Sequence, residues 1–367
     1  MTSRLFFIAV LLVAVVPLVA LQQPAPPPMP DAQAIQKMAA RFAPTEIGAD
    51  LSKLSENDRR VLAKLVEASK IVDALFLRQV WNGNEAMLLD LVRDQSPLGR
   101  ERLHYFLINK GPWSRIDHNQ IFVPGAPAKP AAANYYPEGA SKAEVERWIQ
   151  SLPEAERSRA TGFFTVIRRS GTSFTQVPYN VEYQGELTRA AALLREAAQL
   201  AAEPTLKAFL TKRADAFLSN DYYDSDVAWM ELKGAIEPTI GPYEVYEDEL
   251  LNYKAAFEAY VTVQDEAETA KLQRLAGELQ DIEDHLPIEP RHRNPRLGAL
   301  APIVVVNEIY AAGDSTIFEI GVSVLANFAS CTFLSITRLV PFSRTTRSSF
   351  GRLKAAVWTP RLPSPAA

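Results

Sequence analysis

The chain of 367 residues has one cysteine, Cys331, and four histidines, His104, His118, His285 and His292. A single cysteine excludes a disulfide framework within the chain and any zinc site built on cysteine. The histidines are nearly as restrictive. A catalytic zinc takes about three protein ligands, commonly with two on one helical face, and the sequence contains no H-E-x-x-H. His285 and His292 have Pro287 and Pro290 between them, so no helix can present both on one face. They read as loop and surface histidines. G-x-S-x-G, G-x-G-x-x-G and the Walker A pattern are also missing, which removes the nucleophile elbow, the dinucleotide fold and the phosphate loop from consideration. The formal net charge is only −4, so no nucleic-acid partner is expected. There is no internal repeat.

What the sequence does have is core-forming material. Hydrophobic residues make up 47% and charged residues 22%, as in ordinary globular domains, and the length suits one large domain or two ordinary ones. Arg4 precedes an apolar run over residues 5–21, which reads as a signal peptide over 1–20. Cleavage is expected after Ala20, with Leu18 at a position where a small residue is preferred. A single membrane anchor is the alternative. The run is short for a span and is broken by Pro17, so export to the periplasm or beyond is expected, with no membrane span kept. Residues 21–45 read as a linker, proline-rich and extended over 22–30.

Helices then dominate. Ser55 with Asp58 fits a capping box, and Leu62, Leu65, Val66, Val72, Leu75, Phe76 and Val80 recur at helical spacing until Asn82 and Gly83. A further helix is expected near 100–108, a turn over 109–113, a long loop over 124–139, and a helix capped by Ser141 with Glu144. Residues 162–168 (GFFTVIR) and 173–177 read as a hairpin about Ser170, Gly171 and Thr172. Helices follow over 187–202 and 205–218, then strands over 236–246 and 256–263. Leu272, Leu275, Leu279, Ile282 and Leu286 mark one helical face, and 302–310 (PIVVVNEIY) reads as a buried strand. The class is α+β, mostly helical.

The character changes after Asp314. Residues 315–367 hold six Arg or Lys but one acidic residue, Glu319, with dense Ser and Thr. Composition leaves two readings open: a genuine basic tail, or translation out of frame.

Two groups of polar residues are candidates for chemistry. Asp221, Asp224 and Asp226 cluster, but lack the glycine and closing glutamate of a calcium loop; helix capping and exposure account for them. Glu244 and Tyr246 are two apart, and on a strand would share a face. A carboxylate beside a phenol can hold an ammonium group, such as the free N-terminus of a peptide. The same spacing also suits a solvated strand face.

Several segments, in order, carry a resemblance. NKGPW (109–113), GFFTVIRR (162–169), RADAFLSNDYYDSDVAWMEL (213–232), IGPYEVYEDEL (240–250) and RHRNPRLGALAPI (291–303) resemble bacterial members of the dipeptidyl peptidase III family over about residues 42–314. The resemblance implies a zinc metallopeptidase that releases N-terminal dipeptides from short peptides. It implies a two-lobed fold whose lower lobe, here 46–314, contains a small β-barrel-like core and binds the peptide's N-terminus. The upper, helical lobe of the family carries HExxGH and a second glutamate ligand. By this resemblance Glu244 and Tyr246 match the family's N-terminus-binding pair, and Glu258, in FEAY, matches a second substrate-binding glutamate. After VVNEIYAAGD the family continues to an N-L-P-N motif, whereas this chain gives STIF at 315–318. N-L-P-N, HExxGH and the second ligand motif are all missing. The comparison implies that 315–367 is out of frame or that the protein is truncated. The chain is therefore expected to hold no metal or other cofactor itself, although the full-length family uses zinc, and to have no catalytic residues. An inactive monomer that takes short peptides is expected; the alternatives are a residual peptide-binding module and a fragment without function.

Overall fold

The computed structural model describes residues 28–44, 46–297 and 304–313. The expected signal peptide and the basic segment 315–367 lie outside the described residues. So do 302 and 303, the first residues of the strand expected over 302–310. The stretch taken as a linker over 21–45 is corrected. Its residues Ala32–Ala39 form helix α1, started by Asp31, whose carboxylate accepts the Ala34 N–H at 2.8 Å. Ile35 and Ala39 are buried against Tyr105 and Phe106, with Met38 packed beside them, so three apolar positions at helical spacing outweigh the prolines before them.

Helix α2 (Glu56–Val80) is the spine of the fold. Ser55 Oγ accepts from Asp58 N at 3.1 Å and the Asp58 carboxylate accepts from Ser55 N at 3.3 Å, which completes the capping box. Leu62, Leu65, Val72, Leu75, Phe76 and Val80 are all buried, as their spacing requires. After α2 come α3 (Asn84–Arg93) and α4 (Pro97–Asn109), then a short ribbon of β1 (Trp113–Ser114) and β2 (Gln120–Ile121). Helices α5 (Lys142–Ser151) and α6 (Glu154–Ala160) lead to the hairpin of β3 (Thr165–Ser170) and β4 (Ser173–Pro178). Its turn is the expected one, with Gly171 at a φ of 58°. Four helices follow: α7 (Tyr179–Glu182), α8 (Gln184–Leu200), α9 (Pro204–Ser219) and α10 (Tyr223–Met230).

Next come β5 (Ile236–Glu244), β6 (Ala256–Gln264), α11 (Glu266–Gly277), α12 (Leu279–Asp284) and β7 (Val306–Gly313). The single helical face expected over 272–286 is split between α11 and α12, and Ile282 on it is exposed. Strands β5, β6 and β7 form one antiparallel sheet in that order. Phe257, Ala259, Val261 and Val263 of β6 face the main core with Ile236 and Ile240 of β5. Glu258, Tyr260 and Thr262 alternate to the other face.

The expected barrel-like core is not found: among the described residues this sheet is open, and the other sheets are two-stranded ribbons. Three strands cannot curl through a full circle, since closure takes strand number, tilt and stagger together. Helices take the role that further strands would have had, with α2 packed against β6 and β7 and α9 against β5.

Candidate functional site

Strand β5 is not regular at the end that carries the site. Gly241 opposes Glu258 and Pro242 opposes Phe257, but the next pair is Glu244 with Ala256, so Tyr243 is an extra residue. Directly opposed residues share a face. This bulge therefore turns Glu244 to the face of Ala256 and Glu258. Without it, Glu244 would follow Ile240 and Pro242 to the opposite side. Glu244 is half-buried, and burial alone pushes its carboxyl above the usual range. Among the described residues no hydrogen bond or ion pair engages that carboxylate.

Glu258 is only 6% exposed and sits in the middle of the sheet. Its direct neighbours are both glycines, Gly241 on β5 and Gly313 on β7. At Gly241 a Cβ would come within 2.6 Å of Arg213 Nη1. At Gly313, with φ at 70°, a Cβ would stand 2.2 Å from the Phe257 carbonyl oxygen. A side chain is thus excluded on each side of Glu258. The end of β7 is also tied down: Asp73 of α2 accepts the Gly313 N–H at 2.9 Å and the Lys110 ammonium at 2.8 Å. Lys110 belongs to the NKGPW segment, and Trp113 of the same segment packs with Phe76, Val80 and Ala256.

Tyr246 is placed differently from the alternation argument. The strand ends at Glu244, and Tyr246 lies in the following turn, 58% exposed. The cause is the pair of residues after it. Glu247, 3% exposed, accepts from Arg115 Nη1 at 2.8 Å and pairs with the Lys129 ammonium at 2.9 Å. Burial opposes the charge of Glu247, but those two cations win and hold its carboxyl at about 2. Asp248, fully buried, accepts from Tyr136 Oη and from the backbone N–H groups of Leu250, Leu251, Tyr253 and Lys254. These bonds draw the chain out of the sheet before Tyr246 can continue the strand.

Other polar residues near the site escaped the sequence reading. Arg213 of α9 is fully buried, bonds Asp226 Oδ1 at 2.6 Å, and lies against the rings of Phe209, Tyr222 and Tyr243. Burial pushes the Asp226 carboxyl up, against the pull of Arg213. Asp226 is therefore an internal partner and not an exposed residue, whereas Asp221 does act locally, accepting the Tyr223 N–H at 3.1 Å. Lys254 is buried and donates to Ala160 O, Gly162 O and Thr165 Oγ1 at 2.6–2.9 Å. Burial pulls its ammonium down to about 7. Hydrophobic periodicity carries no signal for these polar pairings, which form between separate elements.

Among the described residues no group of three or more His, Cys, Asp or Glu could hold a metal ion. No described helix is long and apolar enough to cross a membrane.

A sequence model of Peptidase family M49 matches residues 166–297. The solved structure of dipeptidyl-peptidase III from Corallococcus sp. strain EGB is 60% identical, with a TM-score of 0.73, over 79% of this chain and 54% of that one. Dipeptidyl-peptidase III from Caldithrix abyssi is 45% identical, also with a TM-score of 0.73, over 77% of this chain and 53% of that one. A curated plant protein, Nudix hydrolase 3 of Arabidopsis thaliana, is 37% identical over 76% of this chain and 43% of its own length. This chain thus spans about half the length of the relatives it matches. Over the part it shares with them, the chain belongs to the dipeptidyl peptidase III family, peptidase family M49.

Proposed function

We propose that the described residues are the peptide-receiving part of a dipeptidyl peptidase III-type enzyme, in which Glu244, Tyr246 and Glu258 hold the charged amino terminus of a short peptide. The observation that carries this reading is the state of Glu244. Its carboxylate is half-buried and desolvated, and no described residue compensates it. A buried anion without a cation is costly, and an incoming ammonium would offset that cost through charge-assisted hydrogen bonds. A second carboxylate, Glu258, is on the same face.

The family is zinc-dependent, but the described donors do not fit a zinc site, and the 367 residues contain no HExxGH. The reading is therefore of a chain that binds peptides and, by itself, does not hydrolyse them. With Tyr246 exposed and Glu244 only half-buried, affinity is expected to be about millimolar. Export as a monomer completes the proposal; export rests on Arg4 and the apolar run over 5–21.

The test is a calorimetric titration of tetra-alanine, with a free or an acetylated amino terminus, into the chain and into Glu244→Gln. The free amine should bind about tenfold tighter to the wild type, the scale of one charged hydrogen bond, and the substitution should shrink the difference. Equal binding of both peptides by the wild type would overturn the anchor. Chelator-sensitive turnover of a dipeptidyl-arylamide by the purified chain with added zinc would overturn the inactivity.

A further inference from the structure

We propose that Glu247 and Asp248 are the positioning residues of this site: they pin the connection between β5 and β6 and so fix where Glu244 and Tyr246 present their oxygens. The inference rests on the peptide-anchor reading above. The connection runs over 245–255, far longer than the roughly 2–5 residues that usually join two hairpin strands. A loop of that length, left to itself, would sample many conformations, and each would place Tyr246 differently. Three buried attachments prevent this. Glu247 fastens the loop to two remote segments through Arg115 and Lys129. Arg115 is itself fixed, its backbone N–H on Asn109 Oδ1 at 3.0 Å and its Nε on Asn109 O at 2.8 Å. Asp248 gathers four backbone N–H groups from residues 250–254 and the hydroxyl of Tyr136. Lys254 closes the far end on Ala160, Gly162 and Thr165.

Burying such charges stabilises a fold no better than apolar packing of similar volume. What the charges add is geometry: each bond has a defined length and direction, and breaking one leaves a charge uncompensated. The contrast along the chain is abrupt, from Tyr246 at 58% exposure to Glu247 at 3% and Asp248 at 0%. The exposed phenol is one residue from a buried, doubly paired carboxylate. A binding group on a loop gains precision only when the residues behind it are locked, and here the locks are adjacent in sequence to the groups they aim.

The test compares tetra-alanine with its N-acetylated form on the full chain, on Glu247→Gln and on the double variant Glu247→Gln/Lys129→Met, which also removes one of the two cations that the single change deprives of Glu247. Both peptides meet the same folded fraction, so their affinity ratio is insensitive to partial unfolding. The expected result is a preference for the free amine in the wild type and its loss in both variants. Free-amine binding should weaken about tenfold while acetyl-peptide binding stays constant. If the wild type shows no preference, the anchor reading falls and this inference with it. If the wild type shows the preference and the variants keep it, this inference alone is overturned. A second measurement needs no variant: amide exchange of Leu251, Tyr253 and Lys254 in the wild type should be strongly protected, and exchange at the rate of an open loop would overturn the proposal.

Discussion

Replacing Asp248 by Asn is the most demanding test of how the site is held. The carboxylate accepts five hydrogen bonds: Leu250 N and Leu251 N reach Oδ1 at 3.2 and 3.1 Å, while Tyr136 Oη, Tyr253 N and Lys254 N reach Oδ2 at 2.8, 2.8 and 3.1 Å. An amide of the same shape has one accepting oxygen and one donating nitrogen. Its best orientation turns the oxygen to the three donors on the Oδ2 side. The amide nitrogen then confronts the N–H groups of Leu250 and Leu251, and both lose their acceptor. Each buried unsatisfied donor costs about 1–3 kcal/mol, so the loss of two should cost about 2–6 kcal/mol. Urea unfolding, followed by tryptophan fluorescence, should show a lower midpoint with an unchanged slope. The control is Glu249→Gln, whose side chain is half exposed and, among the described residues, pairs with Lys129; its cost should stay below about 1 kcal/mol. If Asp248→Asn lies within about 0.5 kcal/mol of the wild type, the carboxylate does not organise the loop and the account of the turn is wrong.

Two further outcomes follow from buried charges elsewhere. Arg213→Met should destabilise by about 3–5 kcal/mol, because it leaves Asp226 buried without its cation, and the double change with Asp226→Leu should recover most of the loss in the same urea assay. Lys254, with its ammonium pulled down to about 7, gives stability a pH dependence of definite sign. Between about 7 and 10 the unfolded lysine keeps a proton that the folded one gives up, so unfolding free energy should rise with pH. It should fall again above about 10, where unfolded tyrosines ionise while Tyr179, Tyr183 and Tyr222, raised by burial, do not. Lys254→Met should flatten the rising limb in a pH series of urea midpoints; an unchanged limb would assign it to other groups.

Local signals predicted local structure well. The capping box at Ser55, the apolar stripe of α2, the turn at Gly171 and the pair α8–α9 all follow from residues a few positions apart, and each is found within a few residues of its expected bounds. The site was legible in composition but not in geometry. Alternation assigned Glu244 and Tyr246 to one strand face, yet the strand holds a bulge at Tyr243 and ends at Glu244. Gly241 and Pro242 are residue types that mark a bulge, but where the extra residue falls is fixed by the register with β6. Glu247 and Asp248 are not singled out in the sequence. Their burial depends on Arg115, Lys129 and Tyr136, more than a hundred positions earlier. The barrel expected from the resemblance fails for a related reason: closure depends on which strands meet, and single-strand patterns do not encode it.

The central claim is that paired carboxylates hold a peptide's ammonium group. It is tested most directly by the ionisation of that group in the complex. A short peptide labelled with nitrogen-15 at its amino terminus, saturated with the chain and titrated by NMR, reports the pKa of the bound amine against a free value of about 7.7–8.0. Contact with Glu244 and Glu258 stabilises the charged form, so the account predicts a bound value raised by about one unit or more, and a smaller rise with Glu244→Gln. A bound amine that titrates at its free value or below would show that the carboxylates do not receive it, and would contradict the account.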